Sequence, residues 1–104
     1  MPSLVATKMI TLKDEKLEDL LGEGITLVDY YADWCGPCKM LAVELEDLEG
    51  IKIIKVDTDH QQSLAREKGI MSIPFVEIYK DKELVSNFVG FKTKAEIEEI
   101  LKEI

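Results

Sequence analysis

Ala32-Asp-Trp-Cys-Gly-Pro-Cys-Lys39 contains both cysteines of the chain and falls where an apolar strand gives way to a helix. The strand before it, Ile25-Thr-Leu-Val-Asp-Tyr-Tyr31, is β-prone and apolar with one acid in its middle. That composition suits a strand covered on both faces. After it, residues 35–48 carry Leu41, Leu45 and Leu48 at helical spacing, and Gly50 marks the stop. Helix positions three apart share a face, with Cβ atoms roughly 5–6 Å apart. A disulfide accepts Cα separations of roughly 4.4–6.8 Å, so Cys35 and Cys38 can bridge with little distortion. Gly36 permits the tight start, and Pro37 suits a first turn whose N–H needs no helical partner.

The helix start also supplies chemistry. Its unpaired N–H groups and positive dipole end stabilise a thiolate at Cys35, the species that attacks a disulfide sulfur. Cys38, one turn deeper, can then attack the mixed disulfide and release the reduced partner. Cys35 is the expected nucleophile and Cys38 the resolving thiol. Three other readings compete. A zinc site normally takes four Cys or His ligands, and the chain offers two Cys and His60. A structural disulfide closing so short a loop would constrain the unfolded chain little. Two chance buried thiols would leave the Trp, Gly and Pro around them unexplained.

Outward from this site, strands and helices alternate. Residues 5–10 read as a first strand and 14–21 as a helix with Leu17, Leu20 and Leu21 on one side, stopped near Gly22. Residues 51–56 form another buried strand, and 60–68 a short helix stopped by Gly69. Beyond Pro74, residues 75–80 and 84–89 are close enough to pair as an antiparallel hairpin. Residues 94–104 form an amphipathic helix with Ile97, Ile100, Leu101 and Ile104 on one face. The pattern predicts an α/β sandwich with a mainly parallel sheet closed by that hairpin.

The chain's 104 residues are the size of one domain, expected to span 1–104, and 46% hydrophobic residues can furnish a core. A net charge of −8 lacks the Lys and Arg excess that phosphates require, so neither nucleic acid nor an anionic membrane is an expected partner. No run approaches the roughly 20 apolar residues of a membrane helix. The first residues lack the apolar centre of a secretory signal. A cytoplasmic monomer is expected, and there a close cysteine pair is more often catalytic or metal-binding than structural.

Trp34-Cys-Gly-Pro-Cys-Lys39 matches the active-site motif of the thioredoxins letter for letter, and over essentially its whole length the chain resembles that family. The resemblance implies the thioredoxin fold, a central five-stranded mixed sheet flanked by four helices. It also implies a protein-disulfide reductase with no cofactor beyond its redox-active Cys35–Cys38 disulfide, recharged by a thioredoxin reductase and acting on disulfide-containing client proteins. Asp29 matches a buried carboxylate that helps deprotonate the resolving cysteine; burial raises a carboxylate's pKa towards neutrality, which suits a base. The alternative is a solvated strand end. Lys55 matches a lysine near that aspartate, against the alternative of an ordinary exposed strand lysine. Ser72-Ile-Pro74 resembles the loop bearing a cis-proline, whose preceding backbone pairs with the client as an added strand; a strand-initiating trans proline is the alternative. Gly90 matches a glycine that keeps the surface flat. Trp34, Gly36, Pro37, Ile73, Pro74 and Gly90 would together form the client-binding surface.

The chain also departs from the family pattern. Tyr31 stands where many members have Trp, Phe75 follows Pro74 where Thr is usual, and Val43 replaces a helix-kinking proline, implying a straighter helix. Glu77 interrupts a strand normally apolar there. Asp81-Lys82 replaces the usual Asn-Gly, implying a looser turn. Two other functions stay open: an oxidase or isomerase, whose relatives carry a histidine between the cysteines, and a non-enzymatic binding module.

Overall fold

The computed structural model describes residues 7–104. In chain order the elements are β1 (Lys8–Thr11), α1 (Leu17–Leu20), β2 (Ile25–Tyr31), α2 (Gly36–Glu46), β3 (Lys52–Asp57), α3 (Gln62–Glu67), β4 (Phe75–Lys80), β5 (Glu83–Val89) and α4 (Lys94–Lys102). The five strands form one sheet in the order β1-β3-β2-β4-β5. β3 lies parallel to both β1 and β2, whereas β4 is antiparallel to β2 and to β5. The sheet is therefore evenly mixed rather than mainly parallel, because β4 runs back alongside β2.

Alternation along the strands sends side chains to two cores. One contains Leu27, Ile53, Val76 and Ile78 from the sheet with Leu41 and Leu45 of α2 and Ile97 of α4. The other sets Val28, Tyr30, Ile54, Val56 and Tyr79 against Leu17 and Leu21, with Leu64 and Ile70 at its edge. Each fully buried Leu or Ile contributes about 1.5–3 kcal/mol by leaving water. β2 supplies both cores, which explains its nearly unbroken apolar run.

Several boundaries differ from the sequence expectations for local reasons. β1 ends at Thr11, and residues 5 and 6 of the expected strand lie outside the described residues. α1 is four residues long because the Lys13 N–H donates to Glu15 Oε1 at 2.8 Å, a local turn that competes with helix before Lys16. α2 ends at Glu46, though Leu48 still reaches the core. α3 closes in a Schellman arrangement: Gly69 at φ +69° donates to Arg66 O, and Ile70 N–H donates to Ala65 O.

The hairpin turn is tight rather than loose. Lys80 pairs with Glu83, and the two residues between, Asp81 and Lys82, take φ of 50° and 74°. Those values match the mirror-image turn whose twist suits a hairpin. Asp81 is held there from outside: its Oδ1 accepts from Gly24 N–H at 2.7 Å and its N–H donates to Gly24 O at 2.9 Å.

Candidate active site

Cys35 is the N-cap of α2, in extended conformation, and its Sγ accepts from Cys38 N–H at 3.2 Å. A sulfur thus takes the place that a Ser or Asp oxygen usually fills at a helix start, with Pro37 inside the first turn. The Cys35 and Cys38 Cα atoms are 5.2 Å apart and the pair is joined as a disulfide. Both residues are buried, packed with Ala32 and against Tyr31 and Ile73. One helical N–H and the dipole end aim at Cys35 Sγ, an arrangement that favours negative charge there.

The loop before β4 closes the other side. The Ile73–Pro74 peptide bond is cis, as the resemblance implied. Ile73 O lies 3.8 Å from Cys35 Sγ, within reach of the thiol proton in the reduced form. Gly90 stands beside this loop, its N–H donating to Pro74 O at 2.7 Å. Its φ of +90° requires glycine, and a Cβ there would project into open space. Trp34 is 71% exposed, its indole N–H donating to Asp59 Oδ2 at 3.0 Å. The six residues expected to face clients lie on the elements that meet at the disulfide, with Gly36 and Pro37 exposed and Pro74 itself buried.

Beneath them Asp29 is fully buried, so a solvated strand end is excluded. Lys55 Nζ lies 3.0 Å from Asp29 Oδ2, yet neither carboxyl oxygen accepts a well-directed hydrogen bond among the described residues. The contact is a charge pairing more than a directed bond. Burial pushes the Asp29 carboxyl above its ordinary range, and the Lys55 charge offsets only part of that rise. Lys55 is no ordinary exposed strand lysine: its Nζ also stands 4.5 Å from the Tyr31 ring centre. Lys55 and Tyr31 line a cavity of about 140 Å³ together with Cys38. That cavity joins Cys38 to the lysine paired with Asp29.

The sequence reading did not single out Asp59, which orients Trp34, or Tyr31 as a wall for Lys55. An acid within hydrogen-bond reach of Trp34 could not be located without the β3 exit. Among the described residues no group of three or more His, Cys, Asp or Glu side chains could hold a metal ion, and no helix is long and apolar enough to cross a membrane.

A two-cysteine helix cap that forms a disulfide at the exposed end of a mixed sheet defines a thiol–disulfide oxidoreductase. A family model described as Thioredoxin matches residues 8–103. Thioredoxin of Bacillus subtilis is 40% identical, the match covering 89% of this chain and 94% of that protein. Thioredoxin of Staphylococcus saprophyticus is 38% identical, over 90% of this chain and 95% of its own. A solved mutant thioredoxin from Halobacterium salinarum superposes with a TM-score of 0.76 at 28% identity, covering 94% of this chain and 89% of that one. The chain belongs to the thioredoxin family, has the thioredoxin fold, and is a protein-disulfide reductase acting through Cys35 and Cys38.

Proposed function

We propose that this domain, spanning residues 1–104, is a monomeric cytoplasmic electron carrier between a thioredoxin reductase and disulfide-containing client proteins. The observation that carries the reading is the Cys35 sulfur at the N-cap of α2, accepting the Cys38 N–H. In the reduced form the Cys35 thiolate attacks one sulfur of a client disulfide, and the other client sulfur leaves as a thiolate. Asp29 takes the proton from Cys38, with Lys55 and the small cavity between them as the route. The Cys38 thiolate then attacks Cys35 Sγ and displaces the second client sulfur. Two electrons pass to the client, and the Cys35–Cys38 disulfide remains for the reductase to reduce. No dissociable cofactor is needed for this exchange.

Trp34, Gly36, Pro37, Ile73, Pro74 and Gly90 would receive the client, its backbone pairing with that of Ile73 as an added strand. Support comes from the exposed Trp34, the glycine that leaves the surface open at position 90, and the approach of Ile73 O to Cys35. The test is the equilibrium reduction potential of Cys35/Cys38 in a dithiol buffer, read by Trp34 fluorescence. A value near the roughly −270 mV associated with thioredoxins supports the reductant; about −180 to −120 mV would make it an oxidant or isomerase. Alongside it, Cys35→Ser should abolish turnover, and Cys38→Ser should accumulate mixed disulfides through Cys35. A Cys35→Ser protein that still reduced clients would sink the assignment.

A further inference from the structure

We propose that Lys68 and Glu77 position the client-binding segment, by tying the end of α3 to β4 across the foot of residues 69–73. The inference rests on the reading that clients pair with the backbone at Ile73. It begins from a weakness of α3. That helix has six residues, too few to be stable alone, and none of them is fully buried. Leu64 and the adjoining Ile70 are partly buried, and polar contacts pin the two ends. At the start, Gln61 Nε2 donates to Lys13 O at 2.8 Å and to Leu12 O at 3.3 Å. At the end, Lys68 Nζ donates to Tyr79 Oη at 3.1 Å and lies 3.4 Å from Glu77 Oε2.

Glu77 is an immobile post for that tie. It is 3% exposed, and its Oε1 accepts from Tyr30 Oη at 2.8 Å and from Tyr79 Oη at 3.0 Å. Tyr30 also packs on the ring of Phe75, 5.9 Å between centres, directly after Pro74. The network therefore grips both flanks of the segment, Lys68 before it and Phe75 after it. Between the Gly69–Ile70 turn and Ile73 stand only Met71 and Ser72, both exposed, Met71 by 94%. A shift of the α3 end would pass through two unheld residues to the carbonyl that faces Cys35.

The experiment compares the intact protein with Lys68→Met, Glu77→Gln and Lys68→Arg on two substrates, disulfide-bonded insulin and a small aromatic disulfide. Lys68→Met and Glu77→Gln should raise KM for insulin about threefold to tenfold, with kcat and the small-disulfide rate within about twofold. Amide hydrogen exchange over residues 69–73 should quicken in the same variants, and Lys68→Arg should restore both readouts. Glu77→Gln keeps an acceptor for the tyrosine hydroxyls, so it serves if Lys68→Met does not fold. An unchanged insulin KM in folded variants overturns the proposal, as does an equal loss on both substrates. Insulin trapped on Cys38→Ser separates the two readings. If residue 73 gains no exchange protection there, the strand-pairing reading fails and takes this one with it. If protection appears while KM is unmoved, the positioning role alone fails.

Discussion

Two carboxylates are buried in the middle of this sheet, on opposite faces, each with a lysine beside it. Asp29 in β2 faces the α2 side, and Glu77 in β4 pairs in register with Val28, the residue before Asp29, and faces the α3 side. Their surroundings differ. Glu77 receives two tyrosine hydroxyls and the Lys68 ammonium, whereas Asp29 receives Lys55 alone and no well-directed hydrogen bond. A buried polar group whose partners are all present adds rigidity, and one left short of partners pays in desolvation and holds its proton tightly. The first condition suits a post and the second a base. The same residue class, at the same depth, meets two environments according to how many donors the fold delivers to it.

The largest expected effect tests the satisfied side. Glu77→Ala strands the Tyr30 and Tyr79 hydroxyls and leaves Lys68 without its partner, and should cost about 3–5 kcal/mol in urea unfolding at pH 7. A loss below about 1 kcal/mol would show that the two sites are not energetically distinct. Asp29→Asn should do the opposite and stabilise the fold at pH 7, since burial disfavours the Asp29 charge more than Lys55 favours it, and Lys55 is partly exposed and can turn to water. The same change should slow release of the client by up to about a hundredfold, seen as a longer-lived mixed disulfide.

The pH dependence of that gain has a definite sign. Burial raises Asp29, so the folded chain binds the proton more tightly than the unfolded chain does. Native stability from this group is greatest below the unfolded carboxyl value, about 3.9, and declines as pH rises through the folded value. Asn has no such decline, so the advantage of Asp29→Asn should grow as pH rises towards the folded Asp29 value and vanish as pH falls towards about 4. An advantage that grew on acidification would contradict the raised carboxyl. Lys55→Met removes the charge that holds Asp29 down, so the pH midpoint of resolution should move upward.

Much of this contrast was legible in the sequence and part was not. Asp29 stood out as an acid inside an apolar run, and Cys35 to Cys38 carried the helix-cap geometry in their spacing. Glu77 was visible as an oddity in β4, but its purpose was not, because Tyr30 lies 47 positions away and meets it only once β2 and β4 pair. Lys68 could not be singled out for the same reason, its partners Glu77 and Tyr79 lying in β4. Asp81-Lys82 read as a poor turn because Gly24, 57 positions away from Asp81, supplies the contact that fixes it. Local chemistry within a few residues could be read directly; partners delivered by sheet register could not.

The finest expected difference lies between adjacent tyrosines. Tyr30→Phe keeps the ring in place and leaves Glu77 Oε1 one donor short, so it should cost about 1–3 kcal/mol. Tyr31 is half-buried, and its hydroxyl makes no hydrogen bond among the described residues; its ring meets Lys55 instead. Tyr31→Phe retains that ring and should change stability by less than about 0.5 kcal/mol. Because β2 alternates, one hydroxyl points into the satisfied network and its neighbour towards the dithiol. Parallel urea titrations of the two variants therefore isolate the value of a single donor to Glu77. Equal losses in both would mean that the hydroxyl at position 30 contributes nothing the ring does not, and the contrast between the two carboxylates would reduce to burial alone.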